Sequence, residues 1–198
     1  MDKDLRFSEH VSKGLQKAYL NLKFIYNNRE FCSRKHKAML CESLVLSQLN
    51  GDVVYGPCLS AVDANRIEKV QNSCLRLIFG IRKFERISHT LQLAGWLNMK
   101  NRRLLHSMVL FFKILSNKSP PYLINKITYR CDVHNLNIRF RGTLTPPATE
   151  TFKHSFSYNV ANHPNNVPQF IKKIDSFQRF KSTLAKWLQD KQNWSLTV

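Results

Sequence analysis

A mainly α-helical fold follows from three features of this 198-residue sequence. Apolar residues recur at three- and four-residue spacing through most of the chain. Residues able to cap helices precede several of these runs, and glycine or proline closes them. A hydrophobic fraction of 43% with 11% aromatics is the content of a folding chain and not of a disordered one. The pattern predicts a helical bundle of about five to six helices, then an irregular, proline-containing segment over about 128–168, then a C-terminal helix that docks back. Two domains are expected: a helical one over 1–127, and a second over 128–198 packed on the first.

Ser8 is placed to cap a first helix, whose stripe is Val11, Leu15, Ala18, Tyr19, Leu22 and Ile25. Lys13 and Lys17 lie off that stripe. Asn27-Asn28 breaks the pattern, and Ser33 caps a second helix with Met39, Leu40, Ser43, Leu44 and Val45 leading to Leu49. Asn50-Gly51-Asp52 is turn chemistry, and Val53-Val54-Tyr55 is a short β-prone run closed by Gly56-Pro57. A third helix is predicted from Val62 to Phe79, with Ile67, Val70, Cys74, Leu77 and Ile78 inward and Gly80 just past its end. A short helix over His89–Ala94 ends at Gly95. The most apolar helix follows over Met99–Ser116, carrying Leu104, Leu105, Met108, Val109, Phe111, Phe112 and Leu115, so it belongs in a core. Pro120-Pro121 stops it and starts a turn through Tyr122 and Leu123.

Four of the seven prolines fall within 128–168, where no helical period is visible beyond one turn near Ser157–Ala161. After Asp175-Ser176 the helical pattern returns, with Phe177, Phe180, Leu184, Trp187 and Leu188 as one narrow stripe. Ile171 is expected to pack with it.

Charge is the strongest compositional signal. The chain has 31 Lys and Arg against 13 Asp and Glu, a net charge of +18. Residues 1–100 hold 16 bases and 9 acids, and the remainder 15 and 4, so the excess is spread over the whole chain and is no local tail. A body this basic repels itself until a polyanion displaces its counterions, and nucleic acid is the leading polyanion. No stretch of about 18 apolar residues offers a membrane span. Met1 to Phe7 lacks an apolar signal core, and five cysteines, odd in number and widely spaced, suit reduced thiols. An intracellular location, cytoplasmic or nuclear, is expected.

Catalytic motifs are sparse. Phosphodiester chemistry with two metals needs clustered carboxylates, and no two of the seven aspartates are adjacent. Cys131-x-x-His134 and Cys32-x-x-x-His36 each have half of a zinc spacing without a second pair, even if His154 and His163 are considered for the first. Neither a Gly-x-Ser-x-Gly elbow nor a His-Glu-x-x-His pair occurs, and six glycines leave little backbone for a phosphate-cradling loop. No enzyme, no metal and no cofactor is expected in this chain.

The basic residues form a better pattern. At 100° per residue, Arg66, Lys69 and Arg76 fall on one edge of the third helix, and Arg82, Lys83 and Arg86 follow directly. Arg102, Arg103 and Lys113 extend the set. Such residues suit a track for a sugar-phosphate backbone, and equally a solvated helix face. Phe7, Phe111, Phe112, Phe156 and Phe180 read as core. Tyr129, Phe140 and Tyr158 lie amid Arg130, Arg139, Arg141 and Lys153, and suit stacking on a single strand.

Several segments, in order, resemble the region just after the palm in non-LTR retrotransposon reverse transcriptases of the jockey-like kind. They are Asp2-Lys3-Asp4-Leu5-Arg6-Phe7-Ser8-Glu9-His10-Val11, Val53-Val54-Tyr55-Gly56-Pro57 and Lys69-Val70-Gln71-Asn72-Ser73-Cys74-Leu75-Arg76. Further on come Trp96-Leu97-Asn98-Met99-Lys100-Asn101-Arg102-Arg103, Lys113 with Pro120-Pro121-Tyr122-Leu123, Ser155-Phe156, Asn166-Val167-Pro168 and Phe180-Lys181. The resemblance covers nearly the whole chain through order and spacing, not through one diagnostic motif. It departs at His163-Pro164, where the family pattern has Trp, and at an abbreviated Asn50-Gly51-Asp52.

The resemblance implies a helical, thumb-like region that grips template RNA and primer DNA. It also implies that the fingers, the palm with its paired metal-binding aspartates and an endonuclease lie upstream of Met1, so no catalytic residue carries over. The expected activity is electrostatic binding of RNA, DNA or their hybrid by a truncated copy. The alternatives are a protein-interaction module using an apolar face that the missing palm or another protein would cover, and a relic without function.

Overall fold

The computed structural model describes residues 7–51, 56, 59–125, 127 and 165–197. Among these the chain is mainly helical, without a strand. The helices are α1 (Ser8–Asn27), α2 (Arg34–Leu40), α3 (Ala61–Phe79), α4 (Ser88–Leu93), α5 (Met99–Asn117), α6 (Pro121–Ile124), α7 (Gln169–Lys172) and α8 (Phe177–Thr197). The β-prone run at 53–55, the turn at Ser157–Ala161 and the rest of 128–164 lie outside the described residues.

Local chemistry sets the helix ends. Ser33 Oγ accepts the His36 N–H at 3.3 Å at the start of α2. Ser60 Oγ accepts the Asp63 N–H at 3.1 Å and donates to Asp63 Oδ2 at 2.9 Å, a reciprocal cap of α3. Gly80 closes α3 at φ 68°, a backbone conformation that glycine adopts without a Cβ penalty, and the Ile81 N–H returns to the Arg76 carbonyl at 3.1 Å. Ser8 does not cap α1. The helix starts one residue earlier than a Ser8 cap requires, because the Val11 N–H reaches the Phe7 carbonyl at 2.9 Å and the Phe7 ring packs on the core.

The second helical run corrects its expected stripe. Beyond Leu40 the chain widens into a π turn (Cys41–Val45) and then tightens into a 3-10 turn (Leu46–Leu49). A π turn shifts the helical phase by about one residue, so Cys41, Val45, Leu46 and Leu49 point inward. Met39 and Leu44 are left 59% and 39% exposed. Gly14 lets α1 approach this turn, since a Cβ there would lie 3.3 Å from the Gln48 carbonyl oxygen.

Contacts group the chain into two units, Met1–Arg102 with Gln189–Val198, and Arg103–Leu188. In the first unit α1, the π and 3-10 turns, α2 and α3 surround one core. It holds Val11, Leu15, Ala18, Ile25, Val45, Leu46, Leu49, Ile67, Val70, Ile78 and Met99. Cys41 and Cys74 meet inside it as reduced thiols, and the hydrogen bond to Cys41 together with burial pushes the Cys74 thiol far up. In the second unit Met108, Phe111, Ile114, Val167, Ile171, Phe180, Leu184 and Leu188 are buried. There Phe112 stacks on Phe180 with ring centroids 4.5 Å apart.

The C-terminal end of α8 helps to close the first unit. Gln189 Nε2 donates to the Gly95 carbonyl at 2.6 Å, and Gln192 Nε2 to that of Trp96 at 3.3 Å. Gln71 Nε2, from α3, donates to the Leu97 carbonyl at 2.7 Å. Three glutamines therefore satisfy three consecutive carbonyls in the turn between α4 and α5. No described helix is long and apolar enough to cross a membrane.

Candidate nucleic-acid interface

The basic edge predicted on the third helix exists, and it runs beside α1. Residues 66, 69, 73 and 76 fall within one narrow arc of α3 at helical spacing, as do 12, 16, 19, 23 and 26 on α1. Two contacts show that these arcs face each other. Arg66 Nη1 donates to Ser12 Oγ at 3.3 Å. One end further on, Tyr19, Lys23 and Tyr26 of α1 and Ser73, Arg76 and Leu77 of α3 border a groove of about 390 Å³, with Leu22 and Ile81 completing its lining.

Each cation of the seam has its own state. Arg66 is half-exposed and also paired with Asp63 Oδ1 at 3.1 Å, so its guanidinium is oriented along the seam. Lys23 and Lys69 are exposed. Arg76 is half-buried and donates to the carbonyls of Arg82 and Glu85. It braces the loop after α3 and adds positive potential to the groove, while its guanidinium is already engaged. Arg29 stands over Tyr26, its guanidinium carbon 4.3 Å from the ring centroid and Nη1 donating to the Tyr26 carbonyl at 3.1 Å. At the start of α1, the hydrogen bond from Lys13 holds the Glu9 carboxyl below its ordinary value.

The remaining predicted residues are distributed more widely. Arg82, Lys83 and Arg86 are exposed on the loop that Arg76 braces. Arg102 is drawn into the fold, its side chain only 15% exposed, near Glu42 Oε1 at 3.7 Å and Asn50 Oδ1 at 3.5 Å. It therefore does not continue an exposed track. Arg103 belongs to the other unit, with Nη1 buried and without a hydrogen-bond partner among the described residues. Lys113, also there, is exposed, with Nζ 5.0 Å from the Phe177 ring centroid. Arg139 and Arg141, with Tyr129, Phe140 and Tyr158, lie outside the described residues.

The groove residues of α1 escape a reading of charge runs. Tyr19 fits the apolar stripe and so reads as core, yet it is 45% exposed, and Tyr26 is 53% exposed. The signal was the order Tyr, Lys, Tyr at positions 19, 23 and 26, which puts one cation between two aromatics on a single face.

Two other hollows in this unit differ in kind. One of about 560 Å³ is bordered by Arg34, Lys35 and Phe79, but Phe79 packs on the core and Arg34 lies 3.8 Å above its ring. Another, of about 360 Å³, includes Glu68 and Glu85, which oppose an anion. Among the described residues the α1–α3 groove is lined by two cations, two tyrosines, Ser73 and apolar side chains, without a carboxylate. Among the described residues no group of three His, Cys, Asp or Glu could hold a metal ion.

Fold and groove together define a basic helical module whose cations and aromatics share one seam. Compared with family models, curated proteins and solved structures, the chain matches none.

Proposed function

We propose that this chain binds nucleic acid electrostatically through the α1–α3 seam, as the thumb-side part of a non-LTR retrotransposon reverse transcriptase grips template RNA and primer DNA. The observation that carries the binding reading is the seam itself: Lys23, Arg66, Lys69 and Arg76 gathered on two facing helices of a chain with net charge +18. The order of family-like segments along the sequence supports the origin. In this reading the chain contributes grip and no chemistry, and its partner is RNA, DNA or their hybrid.

A salt titration with labelled oligonucleotides tests it. With Lys23, Arg66 and Lys69 neutralising about three phosphates, log affinity should fall against log salt with a slope near −2.5, being about −0.7 to −0.9 for each phosphate. Flat salt dependence, or no binding at low salt, contradicts the proposal. A second reading, a protein-interaction face, is favoured by Leu20 and Phe24, which stand 61% and 67% exposed one turn apart on α1. The same titration separates the two, because apolar association does not weaken as salt rises.

A further inference from the structure

We infer that the groove between α1 and α3 takes unpaired bases, so that the ligand of this seam is single-stranded nucleic acid. This rests on the nucleic-acid reading above and names the strand class that the site selects. A duplex presents phosphates outward and keeps its base faces stacked inside, leaving only base edges accessible. Phosphate contacts alone therefore do not distinguish a duplex from a single strand. Aromatic faces do, because an unpaired base can lie flat on them whatever its identity.

The groove supplies such faces. Tyr19 and Tyr26 are about half exposed and both border it. Seven residues apart, they stand about 10.5 Å from each other along the helix axis, so they act as two separate platforms and not as one clamp. Arg29 stands over Tyr26, its guanidinium carbon 4.3 Å from the ring centroid, and adds a cation beside this platform. Leu22 and Leu77 supply apolar walls, and Lys23 and Arg76 supply the charge that a sugar-phosphate chain needs beside its bases. An apolar peptide would fit the walls but would leave both cations without a counter-charge. Charge complementarity therefore selects the polyanion.

The test compares an oligothymidine of about fifteen residues with a duplex of equal length, both fluorescein-labelled, at one salt concentration. Tyr19→Ala/Tyr26→Ala should lose about 30-fold in affinity for the single strand, from two stacked bases, and less than about threefold for the duplex, with the salt slope unchanged. Tyr19→Phe/Tyr26→Phe keeps the ring faces and should bind as the parent does. Both tyrosines are half exposed, so an unchanged denaturation midpoint checks that the alanine variant is folded. Equal losses on both ligands overturn the inference. So does an unaffected alanine variant beside a steep parental salt slope, which leaves the phosphate reading standing. Absence of salt-dependent binding by the parent removes both. An anilinonaphthalene dye that the parent binds, the alanine variant does not, and oligothymidine fails to displace would assign the groove to an apolar partner and overturn it too.

Discussion

Neutralising Lys23, Arg66 and Lys69 together should lower affinity for a labelled oligonucleotide about 100-fold at low salt. The slope of log affinity against log salt should flatten by about 2 to 3. Each residue is asked for roughly 1 kcal/mol, less than a buried charge-assisted hydrogen bond gives, because all three side chains are substantially exposed and screened. Lys23→Ser and Lys69→Ser change exposed positions. Arg66→Gln keeps a donor for Ser12 and Asp63, so the Ser60–Asp63 cap of α3 stays in place. Arg76 is left intact because the Arg82 and Glu85 carbonyls depend on it.

A matched control separates location from net charge. Arg179→Gln/Lys181→Ser/Lys186→Ser removes the same charge from exposed positions of the other unit. If only the total field matters, the two triple variants weaken binding alike. If the seam is the interface, the control changes affinity by less than about threefold, since none of its three exposed charges lines the seam and each contributes little.

Gln192→Leu should lower stability by about 2–4 kcal/mol. Gln192 is 4% exposed. Its Oε1 accepts the Asn98 backbone N–H at 2.8 Å and Asn101 Nδ2 at 3.3 Å, and its Nε2 serves the Trp96 carbonyl. Asn98 in turn caps α5 through Oδ1, which accepts the Asn101 N–H at 2.8 Å. Leucine fills the space but leaves an N–H and a C=O without partners, at about 1–3 kcal/mol for each that stays buried. Gln189→Leu is the comparison. Its bond to the Gly95 carbonyl is exposed, so water replaces it and the loss should stay below about 1 kcal/mol. Urea denaturation measures both as a midpoint shift at constant slope. A Gln192→Leu midpoint equal to the parent's would contradict the role given to this side chain.

Helix positions and types were legible in the sequence because caps and stops are local chemistry. Ser33, Gly80 and Gly95 announce their turns within a few residues, and α3, α4, α5 and the start of α8 lie within a residue or so of where periodicity puts them. Phase was less legible. The π turn after Leu40 has no sequence signature, and with it Leu44 is left partly exposed while Val45 and Leu46 are buried. The contribution of Gln192 was hidden for another reason: its partners lie more than ninety residues away, and no local rule pairs a glutamine with a distant turn.

The candidate site divides along the same line. The α3 edge follows from helical spacing alone, so Arg66, Lys69 and Arg76 could be grouped without a structure. That α1 is its neighbour is a tertiary fact, and only this turns Tyr19, Lys23 and Tyr26 from a stripe and a surface charge into the wall of a groove. Arg102 shows the converse. Its charge reads as available, while Glu42, distant in sequence, draws it inward.

Photo-crosslinking tests the seam most directly. The full chain is irradiated in complex with an oligothymidine carrying 5-iododeoxyuridine, and the tryptic peptides are sequenced. Adducts are expected on the peptides spanning 18–23 and 24–29, which contain Tyr19 and Tyr26. Adducts confined to peptides from 103–188 would contradict the assignment of nucleic-acid binding to the α1–α3 seam.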